Sequence, residues 1–141
     1  MRLYVDSNVI LSYIKQELGG LIKAQVVRTK DFLINCQKER HIIIISDLTL
    51  KEIKKIGYYS QEEVEELLKQ YDIIFEIIES NEERVKKAKR IEQEMGVHYP
   101  DSLHIQLALD SKADAIVTWN LKDFESAEGL IPIRSPADLV M

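Results

Sequence analysis

The stretch RLYVDSN at residues 2–8 decides the fold, because a short apolar run ends there in the carboxylate of Asp6. The apolar residues 9–11 follow at once, which indicates a helix that begins directly after a buried strand. In open parallel α/β sheets, ligands bind outside the carboxyl ends of the strands. Asp6 is therefore well placed for chemistry if the rest of the chain supplies neighbouring strands.

The rest of the chain alternates predicted strands with predicted helices. Apolar, β-branched runs predict strands at 2–6, 41–45, 73–78 and 115–118, with a fifth at 130–133. Apolar residues at helical spacing predict helices at 8–18, 21–38, 49–55 and 101–111, and capping boxes at 60–63 and 80–83 open two more. Gly19-Gly20 separates the first two helices. This alternation predicts an α/β fold with a parallel sheet and helices on both faces.

Composition narrows the class of protein. The 141 residues suit one domain, spanning 1–141, that can bury a substantial core. No apolar run approaches the roughly 20 residues that a membrane span needs, and Asp6 interrupts any secretory signal. The single Cys36 forms no intrachain disulfide, which suits the cytoplasm. A net charge of −5 argues against nucleic acid held by overall charge and leaves room for local basic patches or a metal.

Polar residues fall where the predicted strands end and the helices start. Asp6 follows the first strand, Glu52 lies shortly after the second, Asp101 opens a helix, and Asn120 follows the fourth strand. Three carboxylates and one amide oxygen form an all-oxygen site of the kind that binds Mg²⁺ or Mn²⁺. The sequence has no zinc-binding Cys/His spacing, Walker loop, Gly-rich dinucleotide turn or nucleophile elbow.

Each of these residues also has a purely structural interpretation. Glu52 ends a possible capping box at 49–52, Asp101 complements the dipole of its helix, and Asn120 is a suitable helix cap. His104 lies one turn after Asp101, and on its apolar helix we expect a packed or hydrogen-bonded histidine, not a ligand. Trp119 is expected to pack, although it has the chemistry to stack on a base.

Taken in order, four segments resemble the PIN domain, and within it the VapC-like toxin ribonucleases and their prokaryotic relatives. The segments are Val5–Asn8, Ser46–Glu52, Asp101–Ile105 and Thr118–Phe124. The resemblance covers nearly the whole chain. It implies a three-layer α/β/α fold with a central parallel sheet of four to five strands. It also implies a metal-dependent endoribonuclease with Mg²⁺ or Mn²⁺, an RNA substrate and a VapB-like antitoxin as partner.

The resemblance also implies roles for individual residues. Asp6, Glu52 and Asp101 match the family's acids and would be catalytic metal ligands. The family's fourth acid falls where this chain has Asn120, which lowers the charge of the site by one and would be a neutral ligand or a water-orienting group. Asp123, three residues further on, is a carboxylate that would compensate for this change, unless its position three residues along a helix points it elsewhere.

Further residues are expected around these ligands. Asn8 and Thr118 would hydrogen-bond the ligands, with Asp123 nearby. RNA would approach over local positive charge, for which the candidates are Lys15, Lys51, Lys54, Lys55 and Lys122. The resemblance further suggests a homodimer, formed by apolar residues of the early helices unless these only fill the core: Leu21, Ile22, Val26 and Leu33.

Other functions remain open at this point. A catalytically weakened RNA-binding or interaction module would keep the fold while Asn120 reduces the charge of the site. A housekeeping RNA-processing nuclease would use the same residues as a toxin. A phosphohydrolase of the haloacid-dehalogenase kind also carries an aspartate after its first strand, but its acid/base would stand where this chain has Asn8.

Overall fold

A parallel sheet of five strands organises the described part of the chain. The structure is a computed structural model, and it describes residues 1–14 and 23–140. The strands lie in the order β3-β2-β1-β4-β5, and each neighbouring pair is parallel. Their bounds are Arg2–Val5 (β1), Ile42–Ser46 (β2), Ile74–Ile78 (β3), Ala115–Val117 (β4) and Ile133–Arg134 (β5). The predicted α/β fold is confirmed, with five strands in the sheet.

Seven α-helices connect and cover these strands within the described residues. Their bounds are Ser7–Ile14 (α1), Lys23–Lys38 (α2), Asp47–Gly57 (α3), Gln61–Gln70 (α4), Glu82–Met95 (α5), Asp101–Asp110 (α6) and Leu121–Phe124 (α7). Short 3-10 helices follow at Glu125–Ala127 and Pro136–Leu139. In residues 1–14 and 23–140, no helix has the length and apolar character needed to cross a membrane.

Successive side chains of β1 point to opposite faces of the sheet and contribute to two separate layers of the core. Leu3 and Val5 pack into a cluster with residues of α1, α2, α3 and α4, such as Ile53. Tyr4 points to the opposite side and packs with residues of α5 and α6, such as Ile105. Successive side chains of a strand point to opposite faces, so one short strand serves both layers. The result is the expected three-layer α/β/α arrangement.

The chain changes direction across the sheet beside β1. From β1 it moves outward through β2 to β3, and it then returns to place β4 and β5 on the other side. Ligands bind at such switch points, outside the carboxyl ends of the strands. The backbone N–H of Asp6 donates to the Val117 carbonyl at 2.9 Å, so the ends of β1 and β4 meet there.

The helix α3 begins two residues earlier than the sequence pattern predicts. It starts at Asp47, and the side chain of Ser46 caps it by accepting a hydrogen bond from the Thr49 backbone N–H at 3.0 Å. The capping box considered at 49–52 is therefore wrong, because Thr49 already lies inside the helix. This removes the structural interpretation of Glu52 as a cap residue.

Two other boundaries differ from the prediction. Asn81, not Ser80, caps α5, since Ser80 instead donates its backbone N–H and hydroxyl to the Asp47 carboxylate. The fifth strand begins at Ile133, because the backbone N–H groups of residues 130 and 131 both donate to the Ala127 carbonyl and keep that segment in a turn. The predicted helix ends around Gly19-Gly20 lie outside the described residues.

Candidate active site

Asp6 lies at the carboxyl end of β1, nearly buried, and its carboxylate is held by neighbouring hydroxyl groups. Thr118 donates to Oδ2 at 2.9 Å, and the Ser7 hydroxyl lies 3.4 Å from Oδ1. Asn8 donates from Nδ2 to the Thr118 hydroxyl at 3.1 Å and accepts the Trp119 backbone N–H at 3.1 Å. Asn8 and Thr118 therefore join the ends of β1 and β4 and orient the Asp6 carboxylate.

Glu52 and His104 complete a compact group with Asp6. His104 Nε2 lies 2.9 Å from Glu52 Oε1 and 3.8 Å from Asp6 Oδ1. One oxygen of each carboxylate and one ring nitrogen all lie within 4.8 Å of one another. Glu52 comes from α3 and His104 from α6, so three separate elements converge at the switch point. Carboxylate oxygens are suitable donors for a hard divalent cation, so Asp6 and Glu52 fit one, with His104 beside them.

Asp101 is the first residue of α6 and lies within electrostatic reach of this group. Its pKa is raised to about 6, first by burial and then by the charges of Asp6, Asp123 and Glu52, while His104 acts in the opposite direction. Carboxylates that raise one another's pKa in this way form a site that gains from a bound cation. Asp101 therefore belongs to the same electrostatic cluster as Asp6 and Glu52.

The charges of the cluster partly balance one another through His104. Burial raises the pKa of Asp6, and the charge of Glu52 adds to this effect. Burial also favours the neutral form of Glu52, but its hydrogen bond and charge interaction with His104 outweigh that and lower its pKa overall. Burial lowers the pKa of His104, yet the hydrogen bond to Glu52 and the surrounding carboxylates raise it overall. The imidazole is thus the natural positive partner of these acids.

The segment after β4 contributes to the site through its backbone and through Asp123. Asn120 is exposed and stands at the N-cap position of α7, where its side chain makes no capping hydrogen bond. Its backbone N–H donates to the Thr118 hydroxyl at 3.0 Å. Asp123 is exposed, but its charge raises the pKa of Asp101. Asp123 is therefore the carboxylate of this segment that acts on the cluster.

The remaining candidates fall into three groups. Trp119 donates its indole N–H to Thr29 at 3.1 Å and packs against the core, which is the packing role expected for it. Four lysines are exposed, three on α3 and one on α7: Lys51, Lys54, Lys55 and Lys122. Lys15, Leu21 and Ile22 lie outside the described residues, and Leu33 is fully buried in the core.

Tyr4 is a site residue that was not singled out from the sequence. Its hydroxyl lies 2.6 Å from His104 Nδ1, on the side of the ring opposite Glu52. His104 is buried and hydrogen-bonded, as expected, but its partner proves to be a site carboxylate. A signal did exist, since Tyr4 and Asp6 are two residues apart in and after a strand and so share a face.

Comparison with known proteins identifies the family. A family profile described as the PIN domain matches residues 2–122, which is most of the chain. The chain therefore belongs to the PIN domain family. A comparison with curated proteins finds no matching sequence.

Solved structures of similar fold come from toxin–antitoxin complexes. A chain of VapBC2 from Rickettsia felis, bound to a promoter DNA fragment, superimposes with a TM-score of 0.66 and 18% identity over 96% of this chain and 98% of that one. A chain of a toxin–antitoxin complex from Klebsiella pneumoniae superimposes with a TM-score of 0.61 and 21% identity over 95% of this chain and 97% of that one. A chain of VapBC-1 from nontypeable Haemophilus influenzae superimposes with a TM-score of 0.58 and 16% identity over 96% of this chain and 98% of that one. At these identities the likeness establishes the fold.

Proposed function

We propose that this protein is a metal-dependent endoribonuclease that uses Mg²⁺ or Mn²⁺ to hydrolyse phosphodiester bonds in RNA. The observation that carries the proposal is the convergence of Asp6, Glu52 and His104 at the switch point, with Asp101 close enough for its pKa to respond. Membership of the PIN domain family supports the same reading. Because the proposed substrate is RNA, we also propose that the protein acts in the cytoplasm.

The carboxylates of Asp6, Glu52 and Asp101 would hold the cation. Bound there, the cation would supply a water of lowered pKa and offset charge on the attacked phosphate. Thr118 keeps the Asp6 carboxylate oriented, since it donates to Oδ2 at 2.9 Å. Asn120 adds no charge, so Asp123 is the fourth carboxylate of the proposed site.

Positive charge on α3 supports an approach path for RNA. Lys51, Lys54 and Lys55 are exposed on the helix that carries Glu52, and Lys122 is exposed on α7. A chain with net charge −5 needs such a local patch to attract phosphates. Neutralising these lysines should weaken RNA binding and make it less sensitive to salt.

Cleavage of a labelled single-stranded RNA tests the proposal directly. The protein should cleave with Mn²⁺ or Mg²⁺ and stop when EDTA is added. Asp6→Asn should reduce the cleavage rate by about 100-fold or more, because it removes a charged ligand. Asp31→Asn changes the same charge on an exposed part of α2 and should keep full activity. RNA binding without metal-dependent cleavage would instead indicate a weakened binding module.

We further propose that the nuclease is the toxin of a VapBC-type pair, with a VapB-like antitoxin as partner. The likeness of fold to chains of VapBC complexes supports this assignment. Induced expression in a bacterial host should arrest growth, and Asp6→Asn should not. Co-expression with a small DNA-binding protein encoded beside the gene should restore growth. Expression without any growth defect would favour a housekeeping RNA-processing nuclease.

A further inference from the structure

We propose that Tyr4 and His104 are positioning residues for Glu52, and that they hold its carboxylate in the orientation that a divalent cation needs. The inference rests on the proposed function, in which Glu52 is a metal ligand. It assigns a task to two buried polar side chains that the proposed reaction itself does not use.

The imidazole of His104 connects the two other residues. Its side chain is only 1% exposed, and its two ring nitrogens face different partners. Nε2 lies 2.9 Å from Glu52 Oε1, and Nδ1 lies 2.6 Å from the Tyr4 hydroxyl. A ring held at both nitrogens cannot rotate without breaking a buried hydrogen bond, which costs about 1–3 kcal/mol. Glu52 therefore meets a fixed partner.

The hydrogen-bond chain continues from Tyr4 to the start of the helix that carries Glu52. The Tyr4 hydroxyl lies 2.7 Å from Ser46 Oγ, and the ring is fully buried in the core layer that contains α5 and α6. Ser46 Oγ accepts the Thr49 backbone N–H at 3.0 Å and lies 3.1 Å from Thr49 Oγ1. The network thus holds α3 at its first turn and again at Glu52, one turn further along.

This arrangement separates positioning from packing. Glu52 reaches the site on a long side chain, and a fixed partner reduces the rotamer freedom it loses when it binds a cation. Partners that orient metal ligands typically contribute 10–100-fold to metal affinity. The aromatic ring of Tyr4 fills the core, whereas its hydroxyl alone belongs to the chain to Glu52. Removing only that oxygen therefore tests the proposed task.

Mn²⁺ binding to the full chain without RNA measures the effect independently of nuclease activity. Tyr4→Phe should raise the Mn²⁺ dissociation constant about 10-fold in calorimetric titration. Tyr71→Phe is the matched control, because it removes a hydroxyl that donates to Tyr13 at 3.1 Å and touches none of the site residues named here. The control should leave the dissociation constant unchanged.

A double-mutant cycle asks whether Tyr4 acts through Glu52. In a Glu52→Gln background, Tyr4→Phe should change the Mn²⁺ dissociation constant by less than about 2-fold, because the group it positions is gone. An equal loss in both backgrounds would overturn the proposal. If Glu52→Gln weakens Mn²⁺ binding while Tyr4→Phe does not, the positioning role of Tyr4 is wrong, whereas Glu52 remains a proposed metal ligand. If Glu52→Gln has no effect, Glu52 is not a ligand and both proposals fail at this residue.

Variants of His104 provide a second route if Tyr4→Phe does not fold. His104→Gln keeps an N–H donor toward Glu52 and should stay within about 3-fold of the natural affinity, whereas the apolar His104→Leu should lose about 10-fold or more. Equal affinities of these two variants would contradict the proposal. Direct ¹⁴N coupling to bound Mn²⁺, detected by pulsed electron paramagnetic resonance, would also overturn it, since His104 would then be a ligand itself.

Discussion

The raised pKa of Asp101 reflects the burial and the negative charges that surround this side chain. A carboxyl group at the first turn of a helix ordinarily gains from the dipole, which favours its charged form. Here the pKa instead rises from 3.8 to about 6, because burial and three neighbouring carboxylates outweigh that gain. A residue that only complemented a helix would not need such a costly environment. A bound cation would relieve the repulsion between these charges.

The stability of the metal-free protein should therefore depend on pH through Asp101. Because the folded pKa lies above the unfolded one, the folded state takes up the proton more readily. This stabilisation is complete below pH 3.8 and is lost as the pH rises through about 6. Asp101→Asn should then unfold with a free energy about 1 kcal/mol higher than the natural protein at pH 7, allowing for solvent screening.

Urea denaturation in EDTA at several pH values measures this difference. The gain from Asp101→Asn should shrink toward zero near pH 4, where the natural residue is already protonated. Asp31→Asn, on the exposed surface of α2, should show no comparable trend. A gain independent of pH would mean that the variant acts by some route other than the charge at residue 101.

At the scale of single elements, α3 shows what local sequence patterns can and cannot predict. The helix itself follows from its apolar spacing, and so does the presence of Glu52 near its start. The first residue of α3 does not follow from this spacing, because the Ser46 hydroxyl caps the helix in place of Thr49. Likewise Ser80 loses the cap position of α5 to Asn81, since Ser80 binds Asp47 across 33 residues of sequence. Long-range hydrogen bonds of this kind leave no mark in spacing.

The cap of α3 should be more important to stability than an ordinary helix cap. Ser46 is fully buried, accepts from the Thr49 backbone N–H and contacts the Tyr4 hydroxyl. Ser46→Ala should lower the free energy of unfolding by about 2 kcal/mol, because it removes a cap and leaves a buried hydroxyl with one partner fewer. Ser60→Ala removes the exposed capping box of α4 and should cost only about 0.5–1 kcal/mol.

Urea denaturation compares these two serine variants under the same conditions, with equal m-values as the check that unfolding remains two-state. Equal losses from Ser46→Ala and Ser60→Ala would indicate that the contact with Tyr4 contributes nothing to stability. Because the hydroxyl of Ser46 also begins the chain toward Glu52, the same variant should weaken Mn²⁺ binding, whereas Ser60→Ala should not.

At the scale of the whole molecule, strand order explains which parts of the site were predictable. Asp6 was predictable because it follows the first strand, and Glu52 because it lies just beyond the second. Their meeting with His104 depends on β1 lying between β2 and β4, which no single segment specifies. The spacing between Tyr4 and Asp6 indicates that they share a face, but the contacts of Tyr4 with residues 46 and 104 depend on the same strand order. That residues 1–141 form one domain stays a prediction.

Dimerisation through the early helices also stays a prediction, and the structure changes which residues can test it. Leu33 is fully buried and so fills the core. On the same helix, Val27 and Ile34 are 57% and 44% exposed and lie seven residues apart, which is two helical turns. These two side chains are therefore the available apolar contacts on the outer side of α2.

Sedimentation should show a dimer at tens of micromolar protein. Ile34→Lys should raise the dimer dissociation constant at least about 10-fold, because association would then bury a charge without a partner. Ile74→Lys is the matched control, since Ile74 is 50% exposed on the edge strand β3, away from α2 in sequence and layer. A monomer in the natural protein would contradict the prediction outright. Dissociation by Ile74→Lys but not by Ile34→Lys would instead move the interface to the sheet edge, where an open strand can pair with a second copy.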